Sequence, residues 1–290
     1  MKKVVLLILC TGLLFSSCKK EEETVVVTGN VAPDDETIED VVVSNYVQKL
    51  YISLLGRKST DAEKDAGIAA LKATNVSVES RNTLVSGIIA QEAYFDNEYG
   101  IMRADFLHNA DSASFQESKI VYEFALTLTV NPIEIAFIQD ALERIEPLIA
   151  LEGNLKNGTV SIKEAHEIIV NNIIYDEVNM GAENYVVSLF QNFLLRYPTV
   201  AELESGVDIY RGVPGILFTT SAKNKDELIE VFFDYGEYYE GQVRINYLRF
   251  LYREPTDDEI VLLANQYLSS GDYKDLQKYI LSLDEYAGLK

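Results

Sequence analysis

The sequence is poor in the residue types that carry most metal and redox chemistry. Among 290 residues there are two cysteines, two histidines and no tryptophan. Both cysteines, Cys10 and Cys18, lie close to the N-terminus, so the rest of the chain can form neither a disulfide nor a thiolate metal site. His108 and His166 do not occur in a metal-binding spacing such as H-E-x-x-H. We therefore expect no metal and no cofactor, and stability that comes from packing alone.

Positive charge is also scarce, with 25 Lys and Arg against 46 Asp and Glu and a formal net charge of -21. Such a surface repels phosphate groups, so nucleic acid is not an expected partner. The sequence also lacks a G-x-S-x-G nucleophile turn, a Gly-rich phosphate loop and a G-x-G-x-x-G fingerprint. We predict a protein that is not an enzyme. An enzyme with an acidic site assembled from distant residues is the less favoured alternative.

The N-terminus carries the clearest local signal. The basic start Met1-Lys2-Lys3 precedes an apolar segment, Val4 to Phe15, which is too short to span a bilayer and is typical of a signal peptide. It ends in "LFSSC", which resembles the lipobox of bacterial lipoproteins, with Phe15 where Leu is commonest. The resemblance implies that residues 1–17 are removed and that Cys18 is lipidated. An ordinary secretory signal that ends near a cysteine is the alternative.

Residues 18–36 have the composition of a flexible acidic tether. Two lysines and the run Glu21-Glu22-Glu23 follow Cys18 directly. This pattern resembles the surface-export signal of Bacteroidetes lipoproteins. It implies a protein anchored by lipid in the outer membrane and exposed at the cell surface. The alternatives are a periplasm-facing lipoprotein and a charged tether without an export role. In each case the membrane is contacted through the lipid anchor only.

From about Thr37 the pattern is helical, because apolar residues recur at intervals of three and four, as in Val43, Val47 and Leu50. Helix starts are frequent. Asn131-Pro132 combines a capping residue with proline at the first helical position, and Ser161 with Glu164 fits a capping box. Alternating strand patterns are nearly absent. We predict an all-α, multi-helical fold.

A seven-residue motif, R-x-x-T-x-x-E, occurs three times, at 57–63, 196–202 and 253–259. Each copy follows an apolar helical segment, and each copy is followed by a second shared segment that ends in Tyr94, Tyr238 or Tyr286. The repeats define three related helical units, at 37–99, 181–240 and 241–290. Residues 100–180 lack the motif and are predicted to be a helical insert.

The motif has a local structural explanation. A Thr followed three residues later by Glu forms a capping box, in which each side chain bonds the other residue's backbone N–H. The residues predicted to cap helices in this way are Thr60, Glu63, Thr199, Glu202, Thr256 and Glu259. The arginines, Arg57, Arg196 and Arg253, either close helix ends or bind an anion or a carboxylate of a partner. Both interpretations stay open from the sequence.

The motif with its flanks, "YVQKLYISLLGRKSTDAE" and "YVVSLFQNFLLRYPTVAEL", resembles helical modules of uncharacterised function in bacterial envelope proteins. Some planctomycete proteins carry such modules beside cytochrome-c-like domains. This chain has no Cys-x-x-Cys-His, so no haem attachment follows. The resemblance implies no catalytic residues. We expect a cell-envelope lipoprotein that binds or organises another envelope protein. Polysaccharide binding is the main alternative, because exposed tyrosines can stack on sugars.

Overall fold

The structure is a computed structural model that describes residues 38–289. The predicted signal peptide, Cys18 and the tether therefore lie outside the described residues. The described chain is all-α, which confirms the predicted fold class. It contains fifteen α-helices, one π-helical turn and a two-stranded hairpin. None of the helices in the described part combines the length and apolar character needed to cross a bilayer.

The helices follow one another with short connections. Their bounds are α1 Asp40–Leu55, α2 Asp61–Lys72, α3 Val78–Ile89, α4 Glu92–Phe106, α5 Ser112–Leu128, α6 Pro132–Asn157, α7 Ile162–Val170, α8 Ile173–Val178, α9 Ala182–Leu189, α10 Val200–Tyr210, α11 Lys225–Asp234, α12 Gly236–Leu251, α13 Asp257–Ser270, α14 Tyr273–Leu281 and α15 Asp284–Ala287. The π-helical turn, Phe190–Leu194, continues α9. Helices α6 and α7 begin at Pro132 and Ile162, each after the capping residue predicted from the sequence.

The three repeated units share one arrangement. An apolar helix (α1, α9 with its π turn, or α12) ends at the motif, and a second helix (α2, α10 or α13) starts within it. Two of the boundaries drawn from the sequence fall inside helices, at residue 99 within α4 and at residue 240 within α12. The reason is that Tyr94 and Tyr238 lie in the first turn of the following helix. Helix α12 therefore closes the second unit and also opens the third.

The first and third units pack directly against each other. The Tyr46 hydroxyl on α1 donates to the Leu281 carbonyl at 3.0 Å. The buried Arg81 on α3 donates to the Ser282 carbonyl at 2.9 Å and pairs with Asp284. These contacts join segments about two hundred residues apart in the chain. All the described residues belong to one compact unit, so the repeats are not separate domains.

An aromatic cluster joins the insert to the second unit. The Phe193 ring lies 5.0 Å from the rings of Phe106, His166 and Phe233. Helix α12 passes so close to the π turn that a Cβ at Gly241 would lie 1.9 Å from the Phe193 carbonyl oxygen. Only glycine fits there, because the contact is with backbone that cannot rotate away.

A small β-hairpin was not predicted from the sequence patterns. Strands β1 (Gly215–Leu217) and β2 (Thr220–Ala222) pair antiparallel, and the two-residue turn between them has positive φ at Phe218 and Thr219. Such turns normally use Asn or Gly. Phe218 and Thr219 are therefore unfavourable residues for this turn. The centre of the Phe218 ring stacks 4.0 Å from the centre of the Tyr235 ring, so a tertiary contact holds one of them.

Candidate functional site

Each repeated turn contains the two reciprocal hydrogen bonds of a capping box. In the first, the Glu63 backbone N–H donates to the Thr60 hydroxyl at 3.2 Å, and the Thr60 N–H donates to the Glu63 carboxylate at 2.7 Å. The pairs Thr199–Glu202 and Thr256–Glu259 have the same two bonds, at 3.3 and 2.7 Å in both. The sequence separation of three residues positions these groups without any help from the rest of the fold.

In each motif, the arginine donates two parallel hydrogen bonds to the carboxylate of the capping glutamate of that motif. Arg57 donates to the two oxygens of Glu63 at 2.8 Å each. Arg196 bonds Glu202 at 2.9 and 2.8 Å, and Arg253 bonds Glu259 at the same two distances. This fork-to-fork geometry is the strong form of an ion pair. The three guanidinium groups are therefore engaged within the chain, and partner binding by them stays a prediction.

The second and third arginines each hold a further carboxylate. Arg196 donates to Glu237 at 2.6 and 2.8 Å, and Arg253 donates to Glu285 at 2.8 Å. Both acids precede the terminal tyrosine of their unit by one residue. The corresponding residue of the first unit is Ala93, which precedes Tyr94 and carries no carboxylate. Arg57 is accordingly the most exposed of the three, at 41% against 31% and 33%.

These contacts strongly lower the pKa values of the three glutamates. The bonds from Arg57, and then from the Thr60 N–H, lower the pKa of Glu63 to about 2. Arg196 and Arg253 likewise lower the pKa of Glu202 and Glu259 to about 2. A carboxyl group with so low a pKa stays ionised at neutral pH and cannot act as a general acid. The turns are thus built to hold charge rather than to transfer protons.

The histidines do not form a reactive group. His166 is buried, its Nδ1 lies 3.0 Å from the Tyr238 hydroxyl, and burial lowers its pKa to about 3. It is therefore neutral at physiological pH and belongs to the aromatic core. His108 is exposed, in a turn with positive φ. Between residues 38 and 289 no group of three or more His, Cys, Asp or Glu side chains is placed to hold a metal ion.

A charged cleft of about 620 Å³ lies between α6, α7 and α11. Arg144 pairs there with Asp226 at 2.7 Å and with Asp140 at 2.9 Å. Lys163 pairs with Asp234 at 2.8 Å. Arg144 lowers the pKa of Asp226, which is the wrong direction for a catalytic acid. The cleft has the acidic lining that an unrecognised enzyme site would need, and the two bases Arg144 and Lys163 pair with part of it.

A larger groove, of about 1070 Å³, lies between α13 and α14. Its lining mixes apolar and amide side chains, with Val261 and Leu262 beside Asn265 and Gln266, and Tyr279 at one side. A pocket that is mainly apolar with a few polar groups suits an organic ligand. This groove was not signalled by any sequence motif, because its residues come from two helices and from Asn82 on α3.

The most unusual surface is the distal half of the α5–α6 hairpin, residues 116–137, which we call the arm. Helix α5 packs chiefly against α6, and none of the residues from Gln116 to Phe137 is buried. Seven large apolar side chains of the arm are between 55% and 92% exposed: Ile120, Val121, Phe124, Leu128, Val130, Ile133 and Phe137. Exposed apolar residues are ordinary when scattered, but seven of them gathered on one helical hairpin mark an interaction surface.

Compared with protein families, with curated proteins and with solved structures, the chain has no significant match in any of the three. Evidence for its function therefore comes from its own residues and their arrangement.

Proposed function

We propose that this protein is a lipid-anchored, non-enzymatic component of the cell envelope that binds another protein chain. The observation that carries the proposal is the arm, whose seven exposed apolar side chains have no partner within the described chain. Monomeric proteins rarely leave more than a few hundred Å² of contiguous apolar surface exposed to water. The leader sequence ending in Cys18 supports the envelope location. The outer membrane, with the body at the cell surface, is the proposed site.

A binding role is favoured over catalysis by the titratable groups of the repeated turns and by His166. The repeated glutamates have lowered pKa values, and the buried His166 is neutral. Active sites instead shift pKa values toward the working pH and leave the shifted group accessible. The three repeated turns favour a rigid body, because the arginine at the end of one helix pairs with the glutamate at the start of the next. A rigid body that displays an apolar arm suits a scaffold.

Polysaccharide binding is the second candidate, and the groove between α13 and α14 is the observation that favours it. The groove presents the side of Tyr279 for stacking and the amides of Asn265 and Gln266 for hydroxyl groups. A polysaccharide array would test this function. A bound glycan whose signal is lost in Tyr279→Ala, but kept in Tyr197→Ala, would support it. Tyr197 is the matched control because it is an exposed tyrosine outside the groove.

The anchor has a direct test. Cells expressing the protein are fed a clickable palmitate, and labelling is compared between the natural chain and Cys18→Ala. We expect labelling of the natural chain only, because the mature chain would carry no other cysteine. Labelling that persists in Cys18→Ala would overturn the assignment of the anchor.

The binding role is tested by mild cross-linking of whole cells, followed by purification of the protein from detergent. We expect the natural chain to be recovered in a cross-linked complex and Phe124→Glu to be recovered alone. Val200→Glu is the matched control, since Val200 is also solvent-exposed but belongs to α10 and not to the arm. Recovery of the natural chain alone under these conditions would contradict the proposed function.

A further inference from the structure

We propose that the arm is a self-association surface, and that its partner is the arm of a second copy of this chain. The inference rests on the binding role proposed above and names the partner. Helices α5 and α6 together form a two-helix hairpin, and two such hairpins placed side by side make a four-helix bundle. Each hairpin would then cover the apolar residues of the other.

The apolar residues of the arm form stripes of the kind that helix bundles bury. On α5, Ile120, Phe124 and Leu128 follow one another at intervals of four residues, which places them on one face. On α6, Ile133 and Phe137 have the same spacing. Most of the surrounding positions are half-buried or exposed, so the stripes are not the edge of the main core. Two apolar faces on one hairpin match the two faces that a second hairpin would offer.

The area of the arm reaches the area that a stable dimer needs. Seven side chains exposed by 55% to 92% present roughly 400–800 Å² of apolar surface per copy, taking about 60–120 Å² for each. Two such surfaces facing each other would bury roughly 800–1,600 Å², and the upper part of this range overlaps the roughly 1,200–2,000 Å² of specific protein interfaces. An isologous dimer, in which both copies use the same surface, therefore accounts for the whole exposed patch.

The charges of the arm argue against an anionic lipid surface as its partner. From Ile120 to Glu143 there is no Lys or Arg, whereas four acids occur there: Glu123, Glu134, Asp140 and Glu143. Anionic headgroups attract basic segments and would repel this one. Within the patch, the Glu134 carboxylate is occupied by Thr129 and Asn131, and Glu123 lies 3.8 Å from Lys119.

We expect the two arms to point in opposite directions, as neighbouring helices do in an antiparallel four-helix bundle. The middle of each arm, near Phe124, then lies close to the two-fold axis and faces its own counterpart.

Disulfide cross-linking tests this arrangement in the natural setting. The mature chain would have no thiol except the acylated Cys18, so a cysteine introduced into the arm is the only reactive one. Phe124→Cys and Leu128→Cys are expressed in cells beside differently tagged copies, and the envelope is oxidised mildly. Val200→Cys, on the exposed face of α10, is the matched control. We expect a cross-linked species containing both tags with the arm variants, and at most a trace with the control.

The outcomes separate this inference from the proposed function. A cross-link from the arm to a different protein would overturn self-association and leave the binding role intact. No cross-link between the two tagged copies from either arm position would overturn self-association, and the mild cross-linking of whole cells, which needs no cysteine in the partner, then decides the binding role separately. Protection of the arm cysteines from a water-soluble maleimide by vesicles of phosphatidylethanolamine and phosphatidylglycerol would assign the arm to lipid and would also overturn self-association.

Sedimentation of the detergent-solubilised protein supplies an independent measurement. Phe124→Glu should weaken dimerisation by at least about a hundredfold, because each dimer would bury two unpaired carboxylates. Ile133→Glu repeats the test on the other helix. Circular dichroism shows whether each variant keeps its helices. A natural chain that sediments as a monomer, or arm variants that dimerise as well as the natural chain, would refute the inference.

Discussion

Replacing Glu202 by Gln isolates the ion pair at the heart of the repeated turn. Glutamine keeps a side-chain oxygen that can accept the Thr199 N–H, so the cap is preserved. What disappears is the negative charge that faces Arg196 at 2.8 and 2.9 Å. The substitution therefore measures the charge interaction and leaves the local helix start in place.

The size of the effect follows from the pKa. Arg196 lowers the pKa of Glu202 from 4.5 to about 2, which corresponds to an upper limit of roughly 3 kcal/mol of stability at neutral pH. The Glu202 side chain is 19% exposed and that of Arg196 is 31% exposed, so water screens part of the interaction. Arg196 also keeps Glu237. We expect the free energy of unfolding to fall by about 1–1.5 kcal/mol in Glu202→Gln at pH 7.

The effect should depend on pH in one direction. Because folding lowers the pKa of Glu202, its charge stabilises the protein fully above about pH 4.5, and this stability is lost as the pH falls from 4.5 towards 2. The difference between the natural chain and Glu202→Gln should therefore be largest at pH 7 and clearly smaller at pH 3.5. Salt at about 0.5 M should reduce it at pH 7 as well.

Urea unfolding followed by circular dichroism measures these differences. Glu204→Gln is the matched control, because Glu204 is exposed on the same helix two residues further on. It should change the stability by less than about 0.5 kcal/mol. A Glu202→Gln loss that is the same at pH 3.5 as at pH 7, or no larger than that of the control, would refute the reasoning.

Three further substitutions test the geometry of the repeats. Tyr252→Gly should stabilise the protein by about 1 kcal/mol in urea unfolding, since Tyr252 is 87% exposed and is held at a φ of 56° that favours glycine; a loss of stability would contradict this. Ala93→Glu should give Arg57 its second carboxylate and add about 0.5 kcal/mol, and a double-mutant cycle with Arg57→Ala should remove the gain. Gly241→Ala should destabilise by at least about 3 kcal/mol, because its Cβ would collide with the Phe193 carbonyl; an unchanged melting temperature would show that α12 does not pass so close.

The repeated turns could be predicted from the sequence because their bonds are local. Thr and Glu three residues apart meet across the first turn of a helix whatever surrounds them, and the arginine lies within reach of the same glutamate. The helix starts before Pro132 and Ile162 were predicted for the same reason. The second carboxylates were not predicted. Glu237 lies 41 residues from Arg196, so only the fold brings the two together.

Apolar spacing shows why the arm could not be predicted. Ile120, Phe124 and Leu128 have the helical spacing of buried residues such as Val43 and Val47. A stripe of this kind states that a helix has an apolar face, but it does not state what covers that face. Whether the apolar face of the arm is buried or exposed depends on where the other helices pack, and the spacing of its residues does not specify this.

The sequence by itself determined the all-α class and the three capped junctions. All of these depend on residues close together in the chain, whose geometry follows from the backbone. The tertiary structure alone decided which apolar faces are buried, that His166 lies in the core, that the first and third units meet, and that the arm stands free. These features depend on contacts between segments that are distant in the sequence. The type and spacing of the residues in one segment do not specify which other segment packs against it.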